Sequence, residues 1–155
     1  MWYYSLICLG LTSIPNTLAA KYQTLIMDGN PLERLEKNVF KEAGLVNLQL
    51  INLKNCHLLD VHEDAFKGLI ILKEVDISHN NLTKLQPKTF FGNNNLQMIK
   101  ISHNPIRNLQ KFQFPPLNSL KKLDFSHCQI DSIDIKAFQN LNGVESIFLN
   151  NNLLR

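Results

Sequence analysis

An internal repeat of about 24 residues runs through the sequence and limits the folds that the chain can adopt. Aligned on the pattern L-x-x-L-x-L-x-x-(N/C)-x-L, the chain contains six units, which begin at Tyr22, Leu48, Leu72, Leu96, Leu120 and Val144. The first interval is 48 − 22 = 26 residues, and each of the next four is 24. A period of this size indicates an array of similar supersecondary units stacked along the chain.

Apolar residues recur at fixed positions, counted from the first residue of each unit. Position four reads Leu25, Ile51, Val75, Ile99, Leu123 and Ile147, and position six reads Met27, Leu53, Ile77, Ile101, Phe125 and Leu149. Because alternate residues of a strand share a face, these positions predict a short strand with one face turned inward. Strands of neighbouring units would pair in parallel, about 4.8 Å apart, to form one sheet.

Position nine carries an amide or a thiol, in the order Asn30, Cys56, Asn80, Asn104, Cys128 and Asn152. The chain turns away from the sheet at this position, and a bend leaves backbone groups without partners. An inward Asn side chain can bind those groups. Cysteine is small and a weak donor, so it fits the same place with fewer hydrogen bonds.

Position nineteen is a phenylalanine in five units, namely Phe40, Phe66, Phe90, Phe114 and Phe138. We expect these rings to form one buried column under the wall opposite the sheet. A single unit cannot bury its apolar edge alone, so stability must come from stacking. The predicted fold is an α/β solenoid, a right-handed superhelix with a parallel concave sheet and an irregular or 3-10 convex side.

The pattern resembles the typical, 24-residue class of extracellular leucine-rich repeats over residues 22 to 154. Toll-like receptors, Slit-like guidance proteins and insect cell-surface repeat proteins share this class. The resemblance implies an extracellular protein, either secreted or the ectodomain of a cell-surface protein. It also implies a binding function without catalysis and without a cofactor.

The domain organisation follows from the same alignment. Residues 22–155 form the six repeats, and the last is truncated, so we expect the chain to be a fragment. Residues 1–21 are either a partial amino-terminal cap, which Leu11 to Pro15 resemble, or a signal-like segment. We expect oligomerisation to be possible through the uncapped carboxyl-terminal edge, and membrane attachment only through a region outside this chain.

Positions three, five and seven point away from the core and form the concave face. They carry three positive and four negative charges, whereas a nucleic-acid groove would have one sign. The net charge of +3 is also small. We therefore expect a protein partner and no nucleic acid. The candidate contact residues are Leu50, Asn52, Lys54, Glu74, Asp76, Met98, Lys100, Lys122, Asp124 and Phe148.

The predicted function is protein–protein recognition through this face, as part of a receptor, an adhesion protein or a soluble immune-type protein. The alternative is a structural matrix protein that associates with itself. We expect no enzyme activity and no metal site.

Three histidines occupy position eight of consecutive units, His79, His103 and His127. Strand spacing predicts a ladder of imidazoles along one edge of the sheet. Such a ladder could bind a metal, could release a partner near pH 6 when protonated, or could be a turn sequence copied by duplication.

The remaining motifs are cysteines and a glycosylation sequon. Cys56 and Cys128 lie three units apart, roughly 15 Å by strand spacing, so we expect free buried thiols. A nucleophilic pair of Cys128 with His127 lacks an evident orienting acid. Asn81 begins an N-x-S/T sequon and is a candidate glycosylation site in a secreted protein.

Overall fold

The computed structural model describes residues 2–16 and 18–155, and its main element is one sheet of seven parallel strands. The strands are β1 (Tyr3–Ser5), β2 (Thr24–Ile26), β4 (Leu50–Asn52), β6 (Glu74–Asp76), β7 (Met98–Lys100), β9 (Lys122–Asp124) and β11 (Ser146–Phe148). They follow one another across the sheet in chain order. The predicted solenoid with a parallel sheet is confirmed.

The strands pair in the register that the repeat pattern requires. Leu25 lies opposite Ile51, Ile51 opposite Val75, and Val75 opposite Ile99. All of these side chains are fully buried. Because side chains alternate along a strand, positions three and five lie on the opposite face of the sheet. Each strand therefore places its middle residue in the core and its first and third residues on the concave face.

Strand β1 extends this sheet beyond the first unit of the repeat pattern. Tyr3 to Ser5 pair in parallel with Thr24 to Ile26 of β2. Further along, Ile14 is buried in the common core and Leu11 packs against it. Residues 3–14 thus follow the path of a repeat, although Leu9 stands where the other units have Asn or Cys.

The convex side consists mostly of turns. It also holds one four-residue helix, α1 (Val39–Glu42), in the first unit, which is two residues longer than the others. Two pairs of short parallel strands follow the turn that leaves the main sheet. They join β3 (Arg34–Leu35) to β5 (Asp60–Val61), and β8 (Asn108–Leu109) to β10 (Ser132–Ile133).

The phenylalanines of position nineteen lie under the convex side and stack in two groups, Phe40 with Phe66 and Phe90, and Phe114 with Phe138. The ring of Phe66 stacks on Phe40, with centroids 5.5 Å apart, and on Phe90, at 5.4 Å. Phe114 stacks on Phe138 at 6.2 Å and meets the edge of Phe125 at 6.0 Å. The first four rings of the column are almost fully buried and Phe138 is half-buried. Stacked aromatic contacts of this kind add to the stability that burial itself provides.

Asparagines at position nine form hydrogen bonds between one turn of the chain and the turn before it. Asn80 donates to the carbonyls of Ile77 in its own unit and Leu53 in the preceding unit, at 3.0 and 2.9 Å. Its oxygen accepts the N–H groups of Cys56 and Leu58, both at 2.9 Å. The side chain is buried. One amide thus supplies partners to four backbone groups that the bend would otherwise leave without hydrogen bonds.

Candidate functional site

The ten candidate contact residues lie together on the concave face. Strand pairing aligns the position-three residues of four units in one row, Leu50, Glu74, Met98 and Lys122. It aligns the position-five residues of five units in a second row, Asn52, Asp76, Lys100, Asp124 and Phe148. Lys54 follows at position seven and is half-buried. The structure therefore assembles from five separate units the single surface that the sequence predicts.

Three of these side chains also terminate their own strands. Asn52, Asp76 and Asp124 each accept the N–H of the residue two positions later, at distances of 2.8 to 3.0 Å. This local bond is an Asx-turn, which directs the chain out of the strand. The carboxylates of Asp76 and Asp124 on the concave face thus also have a structural role, which the repeat pattern alone did not indicate.

A charge network occupies the centre of the concave face. The ammonium group of Lys100 donates to Glu74 at 2.7 Å and lies 3.9 Å from Asp76. The hydrogen bond to Glu74 is the main cause of the raised pKa of Lys100. Lys100 offsets the charge of Glu74, and Asp76 leaves a net negative charge beside this pair.

A groove of about 410 Å³ runs along the edge of the sheet where the strands begin. It is lined by residues at positions two and three of successive units, from Thr24 to Lys122. We call it the entrance groove. Leu50 and Met98, both half-buried, contribute apolar surface, and the exposed cations Lys73 and Lys122 flank it. The repeat pattern gives no indication of a site at position two, where Gln49, Lys73, Gln97 and Lys121 recur in one column.

The predicted histidine ladder is present at position eight. The rings of His79 and His103 stack with centroids 4.0 Å apart, and those of His103 and His127 at 4.4 Å. Asn151 extends the ladder, with its side-chain nitrogen 3.0 Å from Nε2 of His127. The pKa of His103 is lowered, first by desolvation and then by the neighbouring imidazoles.

Backbone geometry supplies a local reason for the residues at position eight. His79, His103 and His127 have φ angles of 54°, 56° and 53°. Gly29 and Asn151, at the same position of other units, also have positive φ. Glycine, asparagine and histidine are the residue types that tolerate this left-handed conformation best. The turn therefore favours histidine here without any requirement for a ligand.

The cysteines of position nine are free buried thiols, as predicted. Cys56 donates to the carbonyl of Met27 at 3.1 Å, and burial raises its pKa to about 11. Cys128 donates to the carbonyl of Ile101 at 3.6 Å, and its pKa is also raised by burial. A thiol whose pKa is raised supplies little thiolate at neutral pH, which argues against Cys128 as a nucleophile.

The side chains of the sequon are accessible. Asn81 and Thr83 are exposed, while Leu82 between them is buried. The N–H of Asn81 donates to the carbonyl of Leu58 at 2.8 Å, which fixes the turn that presents the side chain. An oligosaccharide at Asn81 would extend into solvent without disturbing the core.

No group of three or more His, Cys, Asp or Glu side chains within residues 2–16 and 18–155 could hold a metal ion. No helix in the same ranges has the length and apolar character to cross a membrane.

Comparison with solved structures finds the same fold in another protein. A crystal structure of TLR13 in complex with ssRNA13 superposes with a TM-score of 0.79 at 24% sequence identity. The match covers 84% of this chain but only 18% of that one, so this chain spans a small part of the protein's length. No curated protein sequence matches the chain.

A family model for the leucine-rich repeat matches two segments of the chain, residues 46–106 and 99–154. Together they cover well over half of its length and include the units whose strands, asparagines and phenylalanines are described above. The protein belongs to the leucine-rich repeat family.

Proposed function

We propose that this chain is the recognition module of an extracellular protein and that it binds a protein partner through its concave face. Leucine-rich repeats form a protein-interaction scaffold, and the observation that carries the proposal is the continuous surface built from five units. Leu50, Met98 and Phe148 lie among its polar and charged residues. Apolar and aromatic anchors surrounded by polar groups are typical of protein interfaces.

Two observations support an extracellular location. The units have the 24-residue length of the extracellular class that the sequence resembles, and Asn81 and Thr83 of the sequon are exposed. We propose that the module belongs to a receptor, an adhesion protein or a soluble immune-type protein. It would act either as a secreted protein or as part of an ectodomain.

A protein partner is preferred to a nucleic acid because of the charge pattern. The RNA in the TLR13 complex belongs to that protein, and similarity of fold at 24% identity does not transfer a ligand. On this chain, Asp76 and Asp124 lie in the same row as Lys100. Carboxylates at the centre of the face would repel a phosphate backbone.

The proposal can be tested by screening the purified chain against a displayed library of extracellular domains. Each captured partner is then measured against a concave variant, Leu50→Asp with Met98→Asp and Phe148→Asp. The matched control is Leu59→Asp with Ile70→Asp and Phe91→Asp, three exposed apolar residues outside the sheet. We expect the concave variant to weaken binding at least 100-fold and the control to leave it unchanged. Equal binding by both variants would refute the use of this face.

Light scattering distinguishes recognition from the alternative of a self-associating matrix protein. We expect a monomer at micromolar concentration when the chain carries a polar capping repeat after Arg155. Concentration-dependent growth in the size of the capped chain would favour the matrix alternative.

Expression of the chain in a secretory host tests the proposed location. We expect an oligosaccharide on Asn81 that is lost in the Asn81→Gln variant.

A further inference from the structure

We propose that the entrance groove binds an extended, acidic peptide segment of the partner, with aliphatic side chains on Leu50 and Met98 and carboxylates near Lys73 and Lys122. This inference rests on the proposed function, since it names the part of the partner that the concave face contacts. Its basis is the shape of the groove and the distribution of charge around it.

The length of the groove suits an extended chain. The groove passes over five successive turns of the solenoid, from Thr24 to Lys122. With strands about 4.8 Å apart, four intervals span roughly 19 Å. An extended peptide rises about 3.3 Å per residue, so about six residues would fill the groove from end to end. Such a peptide would lie across the strands and contact one unit after another.

The bottom of the groove favours aliphatic side chains. Leu50 and Met98 are two units apart in the position-three row, and Glu74 lies between them. Lys100, which is at position five of the next unit, holds the carboxylate of Glu74 with a 2.7 Å hydrogen bond. This ion pair satisfies the charge of Glu74 within the protein, so that carboxylate need not oppose an acidic ligand.

The charges at the rim favour a carboxylate ligand. Lys121 pairs with Glu145 at 2.8 Å. Within the described residues, Lys73 and Lys122 form no ion pair, and both are exposed. Two unpaired ammonium groups beside an apolar surface complement a segment that alternates acidic and aliphatic residues.

The same features disfavour a single-stranded RNA in this groove. Proteins that bind single strands combine a continuous basic track with aromatic side chains on which bases stack. The lining of the entrance groove contains no aromatic residue. Gln97 and Met98 separate Lys73 from Lys121 and Lys122, so the cations of the groove do not form a continuous track.

The test selects heptapeptides from a random phage-displayed library on the intact chain. We expect the enriched peptides to alternate acidic and aliphatic residues, and this enrichment to vanish on the Lys73→Glu, Lys122→Glu variant. A matched control, Lys84→Glu with Lys88→Glu, reverses two cations outside the groove. It should select the same peptides as the unmodified chain. Enrichment of basic peptides, or the same acidic peptides on the groove variant, would overturn the proposal.

Fluorescence anisotropy with the labelled peptide D-L-E-L-D-L gives a second measurement. We expect at least tenfold weaker binding to the groove variant and to Leu50→Ser with Met98→Ser, and weaker binding at higher salt. Binding of K-L-K-L-K-L with equal affinity, or displacement of the acidic peptide by a uridine oligonucleotide at lower concentration, would count against the proposal.

Failure of this inference differs from failure of the proposed function. A partner captured by the chain could lose binding on Phe148→Asp yet be unaffected by Lys73→Glu and Lys122→Glu. That result would retain recognition by the concave face and eliminate the entrance groove as its peptide site. A partner unaffected by all of these changes would eliminate both.

Discussion

At the scale of single residues, the asparagines and cysteines of position nine show how one place in the fold accepts two chemistries. The N–H of Leu58 binds the side chain of Asn80 in the next unit, at 2.9 Å. Leu32 occupies the same position as Leu58, but the next unit there has Cys56 in place of an asparagine. The N–H of Leu32 donates instead to two backbone carbonyls, those of Asn30 at 2.8 Å and Cys56 at 3.1 Å. The thiol supplies only the donor, and the backbone adjusts to replace the missing acceptor.

We predict that Asn80→Ala lowers the free energy of unfolding by about 3 kcal/mol or more. The change leaves several buried backbone groups without partners, each at a cost of about 1–3 kcal/mol. Asn80→Cys should lose about half as much, because a thiol can donate as Cys56 does. Urea denaturation measures both. Equal losses for the two variants would show that the thiol does not substitute for the amide donor.

We predict that Cys56 does not react with iodoacetamide in the folded protein at pH 8. Its pKa of about 11 leaves very little thiolate, and its side chain is fully buried. Cys8 is exposed and should be labelled first. Mass spectrometry of the digested protein identifies the modified residue. Labelling of Cys56 at the rate of Cys8 would contradict its position inside the turn.

At the scale of the repeating element, the turn after each strand gives position eight a positive φ in every unit, from Cys8 to Asn151. The sequence predicted that three histidines would align, because equal spacing in a repeat becomes adjacency in a parallel sheet. It did not predict the positive φ of that position, since a single sequence gives no backbone angles. Both facts together explain why Asn151 and Gly29 occupy the same column as the histidines.

The histidine ladder should make stability depend on pH. The pKa of His103 is lowered in the folded state, by desolvation and by repulsion from His79 and His127. Asp124 opposes this shift and Lys54 adds to it. Folding therefore favours the neutral ring, whose contribution is complete above the unfolded pKa of about 6.5. The contribution is lost as the pH falls below that value and through the lowered pKa.

We predict that His103→Asn reduces the loss of stability between pH 7.5 and pH 5. Asparagine tolerates positive φ and already occupies this position at Asn151, so the turn is preserved. The control is His57→Asn, which changes another residue with positive φ outside the stack. Thermal unfolding across this pH range measures the difference. The same pH dependence in both variants would show that the stacked imidazoles have no effect on stability.

At the scale of the whole molecule, the features that could be predicted from the sequence are those that recur in every unit. The core rows, the phenylalanine column and the concave face all follow from residues that recur every 24 positions. The strand at Tyr3–Ser5 was not predicted, because its unit has Leu9 at position nine and is shorter than the others. The entrance groove was missed for a different reason: Lys73 and Lys121 of its lining lie at position two, just before each strand, where side-chain direction depends on the local bend.

Each turn of the chain is held by hydrogen bonds to its immediate neighbours. Hydrogen exchange measured residue by residue by nuclear magnetic resonance tests these bonds directly. We predict slow exchange at the position-six amides, which donate to the next strand at 2.8 to 2.9 Å in Leu53, Ile77, Ile101 and Phe125. Protection should therefore recur every 24 residues and fall in the exposed turns between. Long uninterrupted protected segments, or protection without this period, would contradict the account.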